Sequence, residues 1–118
     1  SYKQKCEHYR RLFNVSPPDR LLADYSCALQ KDILIQGRMY IAEHHVCFHA
    51  NIFGWETKVV IRNRDIRNVT KERAAKFFPT AIQIVTYRPH EKYFFTSFTA
   101  RDKAYLMVFR VWQNALLK

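Results

Sequence analysis

Short apolar segments that alternate with brief polar connections fill the middle of this chain, and they constrain its fold more than any other feature. About seven such segments follow one another, at 21–29, 33–41, 46–50, 57–61, 66–70, 81–86 and 93–97. Segments of this length and spacing, rich in β-branched and aromatic residues, are typical of antiparallel strands joined by tight turns. The sequence therefore predicts a small barrel or sandwich of about seven antiparallel strands.

The second of these segments alternates well enough for its two faces to be assigned. If it is a strand, one face carries Ile33, Ile35, Gly37, Met39 and Ile41. A glycine in the middle of a strand often marks a bulge or a bend, as where a sheet curls into a barrel. We therefore expect a bend or a bulge at Gly37.

A short helix is predicted at the start of the sequence. Apolar residues recur there with helical spacing and share one face: Tyr2, Cys6, Tyr9 and Phe13. Pro17 and Pro18 are expected to end this helix and to start a turn.

A longer helix of about 18 residues is predicted at the other end, because the apolar period changes there from strand-like to helical. Thr99 is its expected N-cap, with Asp102 three residues on. Its aromatic stripe consists of Tyr105, Phe109, Trp112 and Leu116. We expect that stripe to pack on the sheet as a plug; the alternative is that it fills a groove on a partner.

Length and composition fit one compact domain, residues 1–118, cut from a longer protein. The chain has 118 residues and 48% hydrophobic residues, enough for one core. It shows neither a secretory signal nor an apolar run that could span a bilayer. Three cysteines without a CxxC motif favour a reducing compartment, and we expect Cys27 and Cys47 to be small core residues.

The charge of the chain is lopsided and narrows the choice of partner. Lys and Arg exceed Asp and Glu by 20 to 10, and the segment 58–76 alone holds seven cations and two acids. Such a field favours nucleic acid, acidic protein or anionic lipid, without choosing among them.

The sequence gives no support to an enzyme. It has no HExxH, GxSxG, GxxxxGK or CxxC motif, and its two glycines form no phosphate-cradling loop. His44 and His45 are expected in a solvated turn and not at a metal. No catalytic residue, metal ligand or cofactor is therefore predicted.

Several ordered motifs resemble a known family. They are the runs CALQKDIL at 27–34, QGRMYI at 36–41, VCFHANIFGW at 46–55, PTAIQI at 79–84, FTSF at 95–98 and FRVWQNALL at 109–117. Together they resemble the GRAM domain of the Aster and Lam sterol-transfer proteins, over about residues 9–117.

The resemblance implies a fold and a function. The fold is a pleckstrin-homology-like barrel of about seven antiparallel strands, capped by the C-terminal helix. The function is binding of anionic lipid, chiefly phosphatidylserine, and in animal members also of accessible sterol. The parent protein would be anchored in the endoplasmic reticulum, reach the plasma membrane at contact sites, and present this domain on the cytosolic face. The sterol-carrying domain of such proteins is absent from this sequence.

Cations beside exposed apolar groups are what an anionic bilayer requires, and loops can offer both. The candidate basic contacts are Lys31, Lys58, Lys71, Arg73, Lys76, Arg88 and Lys92. The candidate membrane wedge is Ile52, Phe53 and Trp55, although these side chains could instead pack on the barrel rim. In folds of this kind the connections between strands 1–2, 3–4 and 6–7 often converge, which would separate Lys71, Arg73 and Lys76 from the other candidates.

Two rivals to lipid binding follow from the residues. Basic charge with interleaved aromatics also suits single-stranded nucleic acid, but that needs aromatics exposed on a sheet face. A protein-docking module is the alternative that we keep, because such folds can bind a peptide along a strand edge. We expect a monomeric domain that binds anionic membrane lipid, with sterol as a candidate second lipid, and that binds no nucleic acid.

Overall fold

The computed structural model describes residues 1–15 and 19–118. Its elements are α1 (Tyr2–Phe13), β1 (Leu21–Gln30), β2 (Leu34–Ala42), β3 (His45–Ile52), β4 (Trp55–Arg62), β5 (Ile66–Ala74), β6 (Phe78–Thr86), β7 (Lys92–Thr96) and α2 (Arg101–Leu116), with a 3-10 turn at Asn63–Asp65. The predicted seven strands and two helices are confirmed. The turn predicted at Pro17 and Pro18 lies outside the described residues.

The strands form one antiparallel sheet in the order β4-β3-β2-β1-β7-β6-β5. β1 pairs with both β2 and β7 and so joins the two halves of the sheet, which curls into a half-barrel. The pleckstrin-homology-like barrel predicted from the sequence is confirmed. Its core lies inside the curl, where Met39, Phe48, Ile82 and Phe95 are fully buried.

The strand directions divide the connections between two edges of the sheet. β1 ends at Gln30, and its antiparallel neighbour β7 begins beside it at Lys92. The β1–β2, β3–β4 and β6–β7 connections therefore leave from one edge, which we call the open edge. The β2–β3 and β5–β6 turns leave from the other edge, where α2 begins.

Gly37 marks a close approach of two strands and not a bulge. The β1–β2 register runs through it without a shift. A Cβ atom built there would lie 2.4 Å from the backbone oxygen of His49 and 2.8 Å from both Ala50 Cβ and the Phe48 ring. The bulge is therefore absent, while the bend, the other form that we expected, fits a sheet that curls into a half-barrel. Glycine is needed because β3 passes too closely for any side chain.

Helix α2 packs through its small residues. Ala104, Val108 and Val111 are buried, which lets the helix approach the barrel closely. Tyr105 and Trp112 are only partly buried, and Phe109 and Leu116 are exposed. The prediction that the aromatic stripe is the packed face was thus wrong in register: the stripe lies at the flank of that face. One member still anchors the helix, since Trp112 Nε1 donates to the Ile66 carbonyl at 2.9 Å.

The start of α2 also differs from the prediction. The N-cap position is Ala100 and not Thr99, and no side chain caps the first turn. Arg101 instead ties this end to the sheet, because its Nη1 donates to the carbonyls of Glu72 at 2.9 Å and Ala81 at 3.1 Å.

A buried polar cluster attaches α1 and the β2–β3 turn to each other. Asp19 Oδ2 accepts from the Tyr9 hydroxyl at 2.8 Å and lies 2.7 Å from His45 Nδ1, while Oδ1 accepts from the His44 backbone N–H at 2.8 Å. Burial raises the pKa of Asp19, but these hydrogen bonds outweigh it and hold that pKa below its ordinary value. His45 is therefore not the solvated residue that the sequence suggested. We call Tyr9, Asp19, His44 and His45 the Asp19 cluster.

Both cysteines assigned to the core are buried there. Cys27 lies in the main core, and Cys47 packs with Tyr9 and Tyr40 under α1. Burial raises the pKa of each thiol to about 12, so both remain protonated at neutral pH.

Candidate functional site

The turn between β3 and β4 projects apolar side chains from the open edge. Phe53 is fully exposed, Trp55 is 82% exposed and Ile52 is partly exposed. These three residues could have packed on the barrel rim, but the structure turns them to the outside. We call residues 51–55 the wedge turn.

The backbone of the wedge turn explains how Phe53 is held outward. Phe53 and Gly54 both have positive φ, 53° and 84°, as two-residue hairpin turns of the primed type require. The Asn51 side-chain oxygen accepts from the Gly54 N–H at 2.9 Å and closes the turn. A bulky aromatic residue rarely adopts the left-handed conformation, and no packing of the side chain offsets its cost here. Strain of this kind is typical of functional positions.

The neighbouring β1–β2 connection adds apolar surface that the sequence reasoning missed. Ile33 is 68% exposed, and Leu34 beside it is also exposed. The alternation of the segment 33–41 had placed Ile33 on the same face as Met39 and Ile41, but the strand begins only at Leu34. Lys31, Asp32 and Ile33 form a compact turn instead, with the Lys31 N–H donating to the Ile33 carbonyl at 3.0 Å. A useful signal was the Lys-Asp pair before Ile33, which suits a turn better than a strand.

The open edge also carries three of the predicted cations, and a fourth lies close to it. Lys31 is exposed in the β1–β2 connection, and Arg88 and Lys92 are exposed around the β6–β7 connection. Thr86 shapes that last connection, since its hydroxyl donates to the Pro89 carbonyl and accepts from the Glu91 N–H. Lys58 stands further along β4, opposite His49.

Glu56, an acid beside the wedge turn, is paired with two neighbouring side chains. Glu56 Oε2 lies 2.9 Å from His49 Nε2, and Glu56 Oε1 lies 3.9 Å from Lys58 Nζ. The hydrogen bond with His49, together with the charge of Lys58, lowers the pKa of Glu56. The pairing shields the wedge turn from an unbalanced negative charge.

The other three predicted cations lie elsewhere. Lys71, Arg73 and Lys76 belong to the β5–β6 hairpin, whose turn leaves from the opposite edge. Lys71 is engaged there, with its Nζ 3.4 Å from Asp102 Oδ1 and 5.1 Å from the centre of the Tyr105 ring. The seven predicted basic residues thus form two groups, at opposite edges of the sheet.

Within the part of the chain that the structure describes, no three His, Cys, Asp or Glu side chains are grouped as a metal site would need. Among these same residues, no helix is both long and apolar enough to cross a membrane.

Relatives of known name share this sequence closely. Human Aster-B is 55% identical and rat Aster-A 52% identical, each over the whole of this chain and 16% of the relative. A fission yeast protein described as an uncharacterized membrane protein is 48% identical over 90% of this chain and 14% of its own length. The chain thus spans about a sixth of the length of these relatives.

Solved structures show the same fold. The C-terminal domain of an unknown protein from Leishmania infantum superposes with a TM-score of 0.79 and 27% identity, over 91% of this chain and 96% of that one. The DH/PH fragment of PDZ-RhoGEF, in complex with activated RhoA, superposes with a TM-score of 0.72, over 97% of this chain and 40% of that one. Its 11% identity makes it evidence for the fold alone.

The resemblance seen in the sequence motifs is confirmed by these comparisons. The family model described as the GRAM domain matches residues 7–117, nearly the whole chain. The chain therefore belongs to the GRAM domain family.

Proposed function

We propose that this domain recognises a membrane surface that carries anionic lipid, by inserting the wedge turn while the open-edge cations meet the headgroups. The observation that carries the proposal is the fully exposed Phe53, held outward by a strained turn. Exposed apolar residues gathered at one edge suit the boundary between headgroups and acyl chains.

Two contributions to binding follow from the geometry. The wedge residues add apolar burial, and Trp55 suits the headgroup level because its indole has one polar edge. Cations within a Debye length of an anionic surface add about 1 kcal/mol each. Phosphatidylserine is the lipid that the family resemblance favours, with accessible sterol as a second signal. Such binding would place a sterol-transfer protein of the endoplasmic reticulum at its contact with the plasma membrane.

Sedimentation with vesicles tests this proposal. The vesicles would be phosphatidylcholine alone, phosphatidylcholine with phosphatidylserine, and the second mixture with cholesterol, all at physiological salt. We expect binding that requires phosphatidylserine and increases with cholesterol. Binding that ignores phosphatidylserine would contradict the headgroup assignment, and no binding to any vesicle would favour the protein-docking alternative.

Variants localise the contact. Phe53→Ser and Trp55→Ser together should release the domain from phosphatidylserine vesicles without changing its thermal unfolding. Leu106→Ser is the matched control, because Leu106 is an exposed apolar residue on the outer face of α2. Competition with an oligonucleotide separates the nucleic-acid rival, since a membrane-binding wedge would not be displaced by it.

A further inference from the structure

The turn between β5 and β6 is a second exposed aromatic tip. Phe77 is 75% exposed and Phe78 is 61% exposed. Ala75 and Lys76 both have positive φ, 51° and 69°, although neither is glycine. The Phe77 N–H donates to the Ala74 carbonyl at 3.1 Å and closes the turn. We call residues 75–78 the far turn. Like the wedge turn, it has a strained backbone and an aromatic side chain that points outward.

The far turn is fixed to its surroundings more firmly than the wedge turn. Arg73 Nη1 donates to the Phe77 carbonyl at 3.4 Å, across the turn. Behind it, Lys71 pairs with Asp102 of α2, and Arg101 bonds to the carbonyl of Glu72. The exposed aromatic groups are therefore presented by a braced hairpin.

The charge around the far turn is positive. Arg73 and Lys76 are exposed beside the two phenylalanines. The acids nearest in sequence and contact are Glu72, whose carboxylate accepts from the Thr70 hydroxyl, and Asp102, which pairs with Lys71 and Arg101. Cations next to protruding aromatics suit an anionic surface whose interior is apolar.

The two tips leave the sheet from opposite edges. β6 runs from the far turn at Phe78 to the open edge at Thr86, nine residues, which spans about 30 Å in a strand. A bilayer that receives the wedge turn end-on would leave the far turn on the side away from it.

We propose that the far turn engages a second anionic bilayer, so that one domain can hold two membranes at once. This inference rests on the proposed function for the open edge, and it adds a second surface with its own partner. A bilayer is favoured over a peptide because the feature is convex: two adjacent aromatic side chains protrude beside cations, and a fluid interface accepts them without a preformed pocket.

Clustering of labelled vesicles tests the inference. Two populations, each of equal parts phosphatidylcholine and phosphatidylserine, would carry a donor or an acceptor dye, and energy transfer between them would report contact. We expect the domain to cluster them. Phe77→Ser with Phe78→Ser should abolish clustering and keep most of the sedimentation with single vesicles, because the wedge turn is intact. Equal clustering by this variant and the parent, or none by the parent, would overturn the inference.

A second measurement separates membrane contact from self-association through the same tip. A fluorophore at Ala75→Cys, in a Cys6→Ser background, would be exposed to quencher-labelled lipid. Quenching by the lipid is expected if the far turn enters a bilayer. Clustering without quenching would mean that the far turn pairs with another copy, which overturns the inference.

Failure of the inference can be told from failure of the proposed function. The wedge turn is tested where the far turn cannot bind: if adding Phe53→Ser and Trp55→Ser to the Phe77→Ser, Phe78→Ser variant leaves sedimentation unchanged, the open edge is the wrong surface and the proposed function fails. If that variant loses sedimentation while the far-turn variant clusters vesicles normally, only the second surface fails. Thermal unfolding of each variant confirms that the fold is retained.

Discussion

The Asp19 cluster buries a charged group, whereas the wedge turn exposes apolar groups to solvent. In the first, a charged carboxylate is buried and its oxygens are hydrogen-bonded to Tyr9, His44 and His45. In the second, aromatic groups that could have been buried are exposed, and Phe53 also holds an unfavourable backbone conformation.

The difference shows where the domain gains stability and where it forgoes it. A buried carboxylate with complete hydrogen bonding fixes α1 against the sheet, and removing any partner is costly. An exposed aromatic on a strained turn contributes no packing to the fold, so stability does not explain its place in the structure, whereas the proposed membrane contact would. The comparison predicts that the two regions can be damaged independently.

The largest expected effect is on stability, from the Asp19 cluster. Asp19→Asn should lower the free energy of unfolding by about 2–4 kcal/mol, because a buried charged acceptor of several hydrogen bonds is lost. Denaturant unfolding measures it. Asp24→Asn is the control, since Asp24 pairs with Arg38 at the surface and should cost less. Lipid binding per folded molecule should be unchanged; a change would contradict the independence of the two regions.

The same cluster makes stability depend on pH in a known direction. Because the pKa of Asp19 is lowered in the folded state, its stabilisation is fully present above the ordinary value of 3.8. It is lost as pH falls through the lower folded pKa, when the carboxylate takes up a proton. Unfolding followed between neutral and acidic pH should show this loss in the parent and less of it in Asp19→Asn. Equal pH dependence in both would rule Asp19 out as its source.

The next effect is on binding, from the wedge turn. Losing both aromatic groups, in Phe53→Ser with Trp55→Ser, should weaken partitioning onto phosphatidylserine vesicles by about 2 kcal/mol, roughly 30-fold. The midpoint of thermal unfolding should stay within error of the parent. A sharp drop in that midpoint would show that these side chains stabilise the fold after all.

A smaller effect is expected from a single open-edge cation. Lys31→Ala should weaken partitioning by about 1 kcal/mol, roughly five-fold, and by less at high salt. Arg110→Ala, on the exposed face of α2, is the control for the general field of the protein. If Lys31→Ala and Arg110→Ala weaken binding by the same factor, the net charge of the domain and not the position of the cation governs binding.

An effect of similar size tests the comparison at a single residue of the wedge turn. Phe53→Asn should raise the free energy of unfolding by about 1 kcal/mol, because asparagine before glycine suits this turn far better. The same variant should bind vesicles more weakly than the parent. Gain of stability with loss of binding would show directly that the turn trades one for the other, whereas a destabilised variant would mean that Phe53 packs.

The sequence predicted the sheet well because strand patterning is local. All seven predicted strands appear; β2 and β7 are shifted by one residue and the other five are longer than expected, so that β5, for example, extends to Ala74 and not Thr70. Errors arose where tertiary contacts decide. The packed face of α2 is set by how closely the helix can approach the barrel, which favours Val108 over the larger Phe109.

The candidate site was predictable in part for the same reason. The Phe53-Gly54 pair between two strands indicates a turn tip, but the sequence left open whether its aromatic side chain points outward or packs on the barrel rim. The role of His45 was missed because its partner Asp19 is distant in sequence. Ile33 was missed because alternation alone does not say where a strand begins.

Gly37 links the core to the wedge turn mechanically. It lies on β2, three residues after that strand begins at the open edge, and the β3 backbone passes over it at His49 and Ala50, just before the wedge turn begins. We expect any side chain at that point to push the β3–β4 hairpin away from β2, with the largest displacement at the wedge turn. The direction in which Phe53 projects from the sheet is therefore set partly by the absence of a side chain at Gly37, a residue outside the wedge turn.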